Sequence, residues 1–182
     1  MNNKVVKLAL VLFLICAVTA GILGVVNALT WERIDQITHQ KEYEAYAAVL
    51  GSESGYTELE FDKAQFPTID SVQKSNDGNG YVVTSTFSGA QGNITMACGV
   101  SPELTCTGIS IIEHSETSGL GAVAASSSAA GEAFRAQFIG QDGSIALSKA
   151  GGSIDALAGA TITSTAVTNA TANSIACVAA LG

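Results

Sequence analysis

The sequence predicts an α+β fold: a single apolar helix crossing a membrane, then an extracytoplasmic domain whose antiparallel sheet is flanked by helices. Three observations predict it. From Leu8 to Leu29 no residue is charged, and only Thr19 and Asn27 are clearly polar. Three strand-like segments, Tyr81 to Phe87, Asn93 to Cys98 and Thr105 to Ile112, follow one another across Gly-rich or Pro-containing turns. Helical spacing then brackets the domain, with Ala130, Phe134 and Phe138 four apart within Ser126 to Phe138, and Val167, Ala170, Ile175, Val178 and Leu181 along the C-terminus.

The apolar run is long enough, at about 1.5 Å per helical residue, to span the roughly 30 Å hydrocarbon layer. Lys4 and Lys7 precede it, whereas Glu32, Arg33 and Asp35 follow. The positive-inside bias therefore puts the N-terminus in the cytoplasm and the chain from about residue 30 outside. A cleaved signal peptide is the alternative, with Val18-Thr19-Ala20 offering a small residue for cleavage, but the run exceeds the roughly 7 to 15 residues of a signal core. Cys16 follows Leu14-Ile15 instead of the small residues expected before a lipidated cysteine, and reads as an apolar thiol.

Residues 1–29 thus form the anchor, 30–55 a helical stalk and linker, and 56–182 the domain. The stalk carries Trp31, Ile34, Ile37, Tyr46 and Val49 among charged positions, and Gly51-Ser-Glu-Ser-Gly55 breaks it. Asn76-Asp-Gly-Asn-Gly80 marks the turn into the meander, and Ser144 to Leu147 predicts a further strand. The Ala/Ser/Thr-rich C-terminus is apolar enough to suggest a second span, but Asn169, Asn173 and several hydroxyls argue against it.

All sixteen acidic residues lie beyond the anchor with six of the eight basic ones, a formal charge of −10 that makes nucleic acid an unsuitable partner. The four cysteines contain no Cys-x-x-Cys and predict no metal site; Cys98 and Cys106 flank a turn around Pro102, where a hairpin disulfide and two free thiols are both open. His114-x-Glu116 lacks the downstream Pro-Cys-x-x-Cys of a zinc deaminase, His39 belongs to no ligand motif and reads as a solvated stalk residue, and no Gly-x-Ser-x-Gly elbow accompanies the serines. No residue is predicted to be catalytic by itself.

The most informative stretch is Asp155-Ala-Leu-Ala-Gly-Ala-Thr161, followed by Ile162-Thr163-Ser164. Gly159 and Ala160 leave the backbone open to close approach beside a threonine hydroxyl. Thr163 or Ser164 can cap the helix that follows, whose N-terminus favours an anion. Asp155 either caps a turn or serves in recognition of the segment. Upstream, in His114-Ser-Glu-Thr-Ser-Gly-Leu-Gly-Ala122, two glycines around Leu120 let backbone lie flat against a planar ligand.

These two segments resemble those of the FMN-binding domain family shared by the G subunit of the Rnf electron-transport complex and the C subunit of the sodium-pumping NADH:quinone reductase. The family patterns are Asp, two variable residues, Ser or Thr, Gly, Ala and the modified Thr or Ser, and His-x-Glu-Thr-Pro-Gly-Leu-Gly. Ala158 replaces the hydroxyl residue and Ser118 the proline. The resemblance implies FMN joined by a phosphoester to Thr161, with Asp155, Gly159, Ala160 and Thr163 in the attachment segment and Glu116, Thr117, Leu120 and Gly121 at the flavin. It further implies an electron-carrier subunit without independent turnover, a flavin transferase during maturation, and membrane and iron-sulfur partner subunits in an assembly coupling ferredoxin oxidation and NAD reduction to ion export. The short chain favours the Rnf branch over the quinone reductase. Two other classes are a pilin-like surface protein, which needs an early helix glutamate that this anchor lacks before Glu32, and a flavin-free assembly anchor, which Ala158 alone encourages.

Overall fold

The computed structural model describes the backbone of residues 3–52 and 54–181; the side chains of residues 3 and 32–36, among them Glu32, Arg33, Ile34 and Asp35, lie outside the described ones. The chain divides into two compact units, Met1–Lys41 and Glu42–Gly182.

Helix α1 covers Asn3–Val49. In the first unit its stretch Lys4–Trp31, with mean hydropathy 2.8 and no buried residue, is long and apolar enough to cross a bilayer. The two threonine hydroxyls there are satisfied within the helix, which suits an apolar surrounding. Thr19 Oγ1 donates to the carbonyls of Ile15 and Cys16, each at 3.0 Å, and Thr30 Oγ1 to that of Val26 at 2.8 Å.

The second unit is built on five antiparallel strands in the order β1 (Tyr56–Leu59), β2 (Ile69–Ser75), β3 (Tyr81–Ser88), β4 (Asn93–Val100) and β5 (Cys106–His114). The last three are the strands the sequence predicts; β1 and β2 extend the meander on one side. Helix α2 (Ala129–Ala136) is shorter than its predicted span, because Ser128 caps it by accepting from the Gly131 N–H at 3.2 Å. Phe134 and Phe138 are buried and meet edge to face, centroids 5.3 Å apart. Ser144 to Leu147 is not a strand. Ile145 and Leu147 are buried in alternation, but Gly151, at φ +86°, turns the chain back at once and leaves a single parallel bridge from Leu147 to Ile154.

Both sheet faces are covered. Val72, Val83, Phe87, Ile94, Met96, Cys98 and Ile109 belong to the main core, which α2 joins through Phe134 and helix α3 (Thr161–Leu181) through Val167, Ile175 and Val178. On the other face Val82 and Ala97 meet Ala45, Val49 and Leu50 from the end of α1, so this compact unit begins inside the helix, upstream of the Gly51–Gly55 break. Tyr46 Oη bonds Thr84 Oγ1 at 2.8 Å, and Thr107 Oγ1 donates to the Val49 carbonyl at 2.6 Å. Cys98 and Cys106 are buried free thiols with sulfurs 3.9 Å apart, well beyond the roughly 2.05 Å of a disulfide.

The contact with Val49 rests on two glycines paired across β4 and β5, Gly99 and Gly108. A Cβ on Gly99 would lie 2.2 Å from Thr107 Oγ1 and 2.5 Å from the Val49 carbonyl oxygen, whereas one on Gly108 would meet nothing nearer than 3.5 Å. Gly99→Ala is therefore expected to destabilise the protein by about 1–3 kcal/mol, and Gly108→Ala to stay within about 0.5 kcal/mol of wild type. Urea unfolding followed by circular dichroism checks the pair.

Candidate functional site

Three segments distant in sequence enclose a cavity of about 360 Å³. Ala90 and Gln91 come from the tight turn between β3 and β4. Glu116, Thr117, Leu120 and Gly121 come from the loop after β5, which runs into a 3-10 turn at Gly121–Ala125. Gly159 to Thr163 form the entry into α3. The structure thus brings together every predicted site residue except Asp155.

Asp155 is exposed and outside the lining. Gln137 holds its backbone, accepting from the Asp155 N–H at 2.7 Å and donating to its carbonyl at 3.2 Å; among the described residues no hydrogen bond reaches its carboxylate. Ala158 is exposed as well, so the missing hydroxyl leaves no interior group without a partner. Three lining residues were not singled out in the sequence: Ala90, Gln91 and Ile162. The Gly89-x-x-Gly92 spacing marks a turn, but nothing local connects it with residues 116 or 163.

Thr161 is the first residue of α3, so Thr163 and Ser164 do not cap the helix but lie within its first turn. Ser164 instead closes the turn before it. Its Oγ accepts from the Leu157 N–H at 3.0 Å and donates to the Ala160 carbonyl at 2.9 Å. Gly159, at φ +71°, completes that turn, and a Cβ there would touch Leu120 Cδ2 at 3.0 Å. The N–H groups of Thr161, Ile162 and Thr163 lack an intrahelical partner, as at any helix start, Ala160 has no side-chain oxygen to cap them, and all three residues line the cavity.

Across the cavity, the buried Glu116 carboxylate accepts from Thr163 Oγ1 at 2.5 Å through Oε2, and from the Ala90 and Gln91 N–H groups at 2.8 and 3.0 Å through Oε1. Burial by itself pushes the Glu116 pKa up; the bonds from Thr163, Gln91 and Ala90 outweigh it and hold the group below the ordinary carboxylate value. The apolar lining is open at the rim, with Leu120 44% and Ile162 66% exposed.

Residues 89–176 match the FMN-binding domain family, and residues 1–49 match the RnfG N-terminal region. Over 177 residues the chain is 31% identical to the G subunit of the ion-translocating oxidoreductase complex of Methanosarcina acetivorans, covering 93% of this chain and 92% of that protein. It is 32% identical over 186 residues to the G subunit of the Na(+)-translocating ferredoxin:NAD(+) oxidoreductase complex of Acetobacterium woodii, covering 91% and 87% respectively. The chain belongs to the RnfG family. All three walls of the cavity fall inside the FMN-binding match, and the matched N-terminal region ends with α1 at Val49.

The residues present fit FMN. The volume falls within the roughly 300–1,000 Å³ of small-molecule sites, unpaired helix N–H groups suit a phosphate, and two exposed apolar side chains suit an aromatic ring.

Ser164→Ala orphans the Leu157 N–H and is expected to destabilise by about 1–3 kcal/mol. The exposed Thr165→Ala, which loses only a bond to the Thr161 carbonyl, should stay within about 0.5 kcal/mol; thermal melting of both variants checks this. Because the folded Glu116 pKa is depressed, its stabilisation is full above the unfolded value of about 4.3 and is lost as pH falls through the folded one. The stability gap between wild type and Glu116→Gln should accordingly be widest above about pH 5 and narrow below about pH 4, read by urea unfolding at stepped pH.

Proposed function

We propose that this chain is the membrane-anchored, flavin-bearing electron carrier of an Rnf-type ferredoxin:NAD oxidoreductase, with FMN joined through a phosphoester to Thr161. The observation that carries the reading is the position of Thr161: an exposed hydroxyl on the first residue of α3, at the mouth of a cavity walled by the Glu116–Gly121 loop. When bound, FMN supplies a centre that takes electrons singly or in pairs. The chain's own residues hold it. The first turn of α3 would hold the phosphate, and Leu120 and Ile162 would offer the ring its apolar surface, with Gly121 and Gly159 in the lining. A flavin transferase would recognise the Asp155–Thr161 segment, where Asp155, Ala158, Gly159 and Thr161 are exposed, and join the FMN phosphoryl group to the Thr161 oxygen as the hydroxyl proton and the donor's leaving group depart; iron-sulfur and membrane subunits would be the electron partners.

The link suits the topology. Lys4 and Lys7 keep the N-terminus in the cytoplasm, so the domain lies outside, where a dissociable cofactor would be diluted away. Both relatives are G subunits of ion-translocating oxidoreductase complexes, one of them a ferredoxin:NAD(+) oxidoreductase, which favours the Rnf assembly over the quinone reductase.

Denatured protein purified from its native host should weigh more than its sequence by FMN less one water, and Thr161→Ala expressed there should not. An unmodified wild-type chain would sink the covalent reading.

A further inference from the structure

We propose that Glu116 is the positioning residue of this site: its one carboxylate ties the β3–β4 turn and the first turn of α3 to the loop after β5, and so sets the spacing between the cavity walls. Toward the flavin this rests on the proposed function; as a statement about the walls it stands on the hydrogen bonds alone.

Both oxygens are committed to protein donors, Oε2 to Thr163 and Oε1 to the Ala90 and Gln91 N–H groups, and the Glu116 N–H donates to His114 Nδ1 at 3.2 Å. Backbone closes on the carboxylate from two further sides. A Cβ on Gly89 would lie 2.4 Å from Oε1, and one on Gly121 would lie 2.3 Å from Oε2 and 2.6 Å from Thr163 Oγ1. Glycines therefore stand where the walls press on the carboxylate, and the side chain is only 8% exposed. Thr163 is two residues beyond Thr161 on the same helical turn, so its bond to Glu116 fixes the phase and tilt of the turn that carries the exposed hydroxyl. Glu116 thus acts on a ligand mainly through Thr163 and the turn. Among the described residues no lysine or arginine pairs with it, which leaves a negative charge on the cavity wall; there it opposes addition of electrons to a neighbouring flavin and lowers the flavin's potential.

The test uses the full-length protein in detergent. In a flavin-free Thr161→Ala background, peptide-level hydrogen exchange is measured over residues 88–92 and over residues 164–170, the paired amides that follow the first turn of α3, with and without Glu116→Ala or Thr163→Val. Loss of a charge-assisted hydrogen bond should speed exchange about tenfold or more in the wall that loses its bond, while Thr163→Ser restores the slow exchange. With Thr161 intact, the same variants should carry less FMN by intact mass. Glu116→Gln keeps the side-chain volume and removes the charge; above about pH 5 it should melt below wild type, and the flavin it holds should have a higher midpoint potential. Unchanged exchange in Glu116→Ala and Thr163→Val would overturn the proposal even if wild type carries FMN. Faster exchange with no FMN on wild type would leave Glu116 as the organiser of the walls and remove the flavin reading instead.

Discussion

Small residues let α3 lie close against β3, β4 and β5, and that contact fixes where Thr161 stands. The buried face of the helix carries Thr163, Ser164, Thr168, Thr171 and Ser174 beside Val167, Ala170, Ile175 and Val178. A helix face with so many hydroxyls would be costly to bury if they were unpaired. Four of them donate to the carbonyl four residues earlier, from Ser164 to Ala160, Thr168 to Ser164, Thr171 to Val167 and Ser174 to Ala170, at 2.8–3.0 Å. The fifth, Thr163, lies too near the helix start to use that solution in the same way and turns to Glu116. One exception to internal satisfaction therefore becomes the tie between the helix and the rest of the cavity.

The opposite face of the sheet obeys a similar economy of size. Gly99 and Gly108 leave a flat place between β4 and β5 on which the end of α1 rests, and Thr107 fastens it through the Val49 carbonyl. Leu50 extends the same contact, with its carbonyl accepting from the Tyr56 hydroxyl and its side chain in the cluster with Val82 and Ala97. A strand pair carrying bulky residues at both positions would hold the helix off and expose that cluster.

The cavity itself is a seam and not a pit in one element. Where its walls meet, the Glu116 carboxylate lies so close to Gly89 and Gly121 that a Cβ on either would strike it, and the turn before α3 is closed by Ser164 from inside the helix. Of its polar lining side chains, those of Glu116 and Thr163 are bonded to each other, so orientation of a ligand falls largely to backbone N–H groups and to shape. On the proposed reading that is compatible with a covalent link, since retention of the cofactor then does not depend on the strength of these contacts.

The sequence by itself determined the features written in short-range patterns. The uncharged run, the strands from Tyr81 onward, the helices and the two segments around Glu116 and Thr161 were all legible, because periodicity, turn residues and motifs act over a few neighbours. β2 was hidden by a register shift between Ile69 and Ser71, which puts Ile69 and Val72 on the core face three residues apart and spoils the period of two. The short β1 has two exposed residues at its centre and draws its support from β2. Tertiary structure alone decided that Ser164 would act behind the helix start and that Ile145 and Leu147 would be buried without a ladder. It also decided that Ala90 and Gln91 would complete a site centred on residues more than twenty positions away. These outcomes depend on which segments meet across the sheet, and a carboxylate, a hydroxyl and two backbone N–H groups become one unit only after burial has removed water as the competing partner.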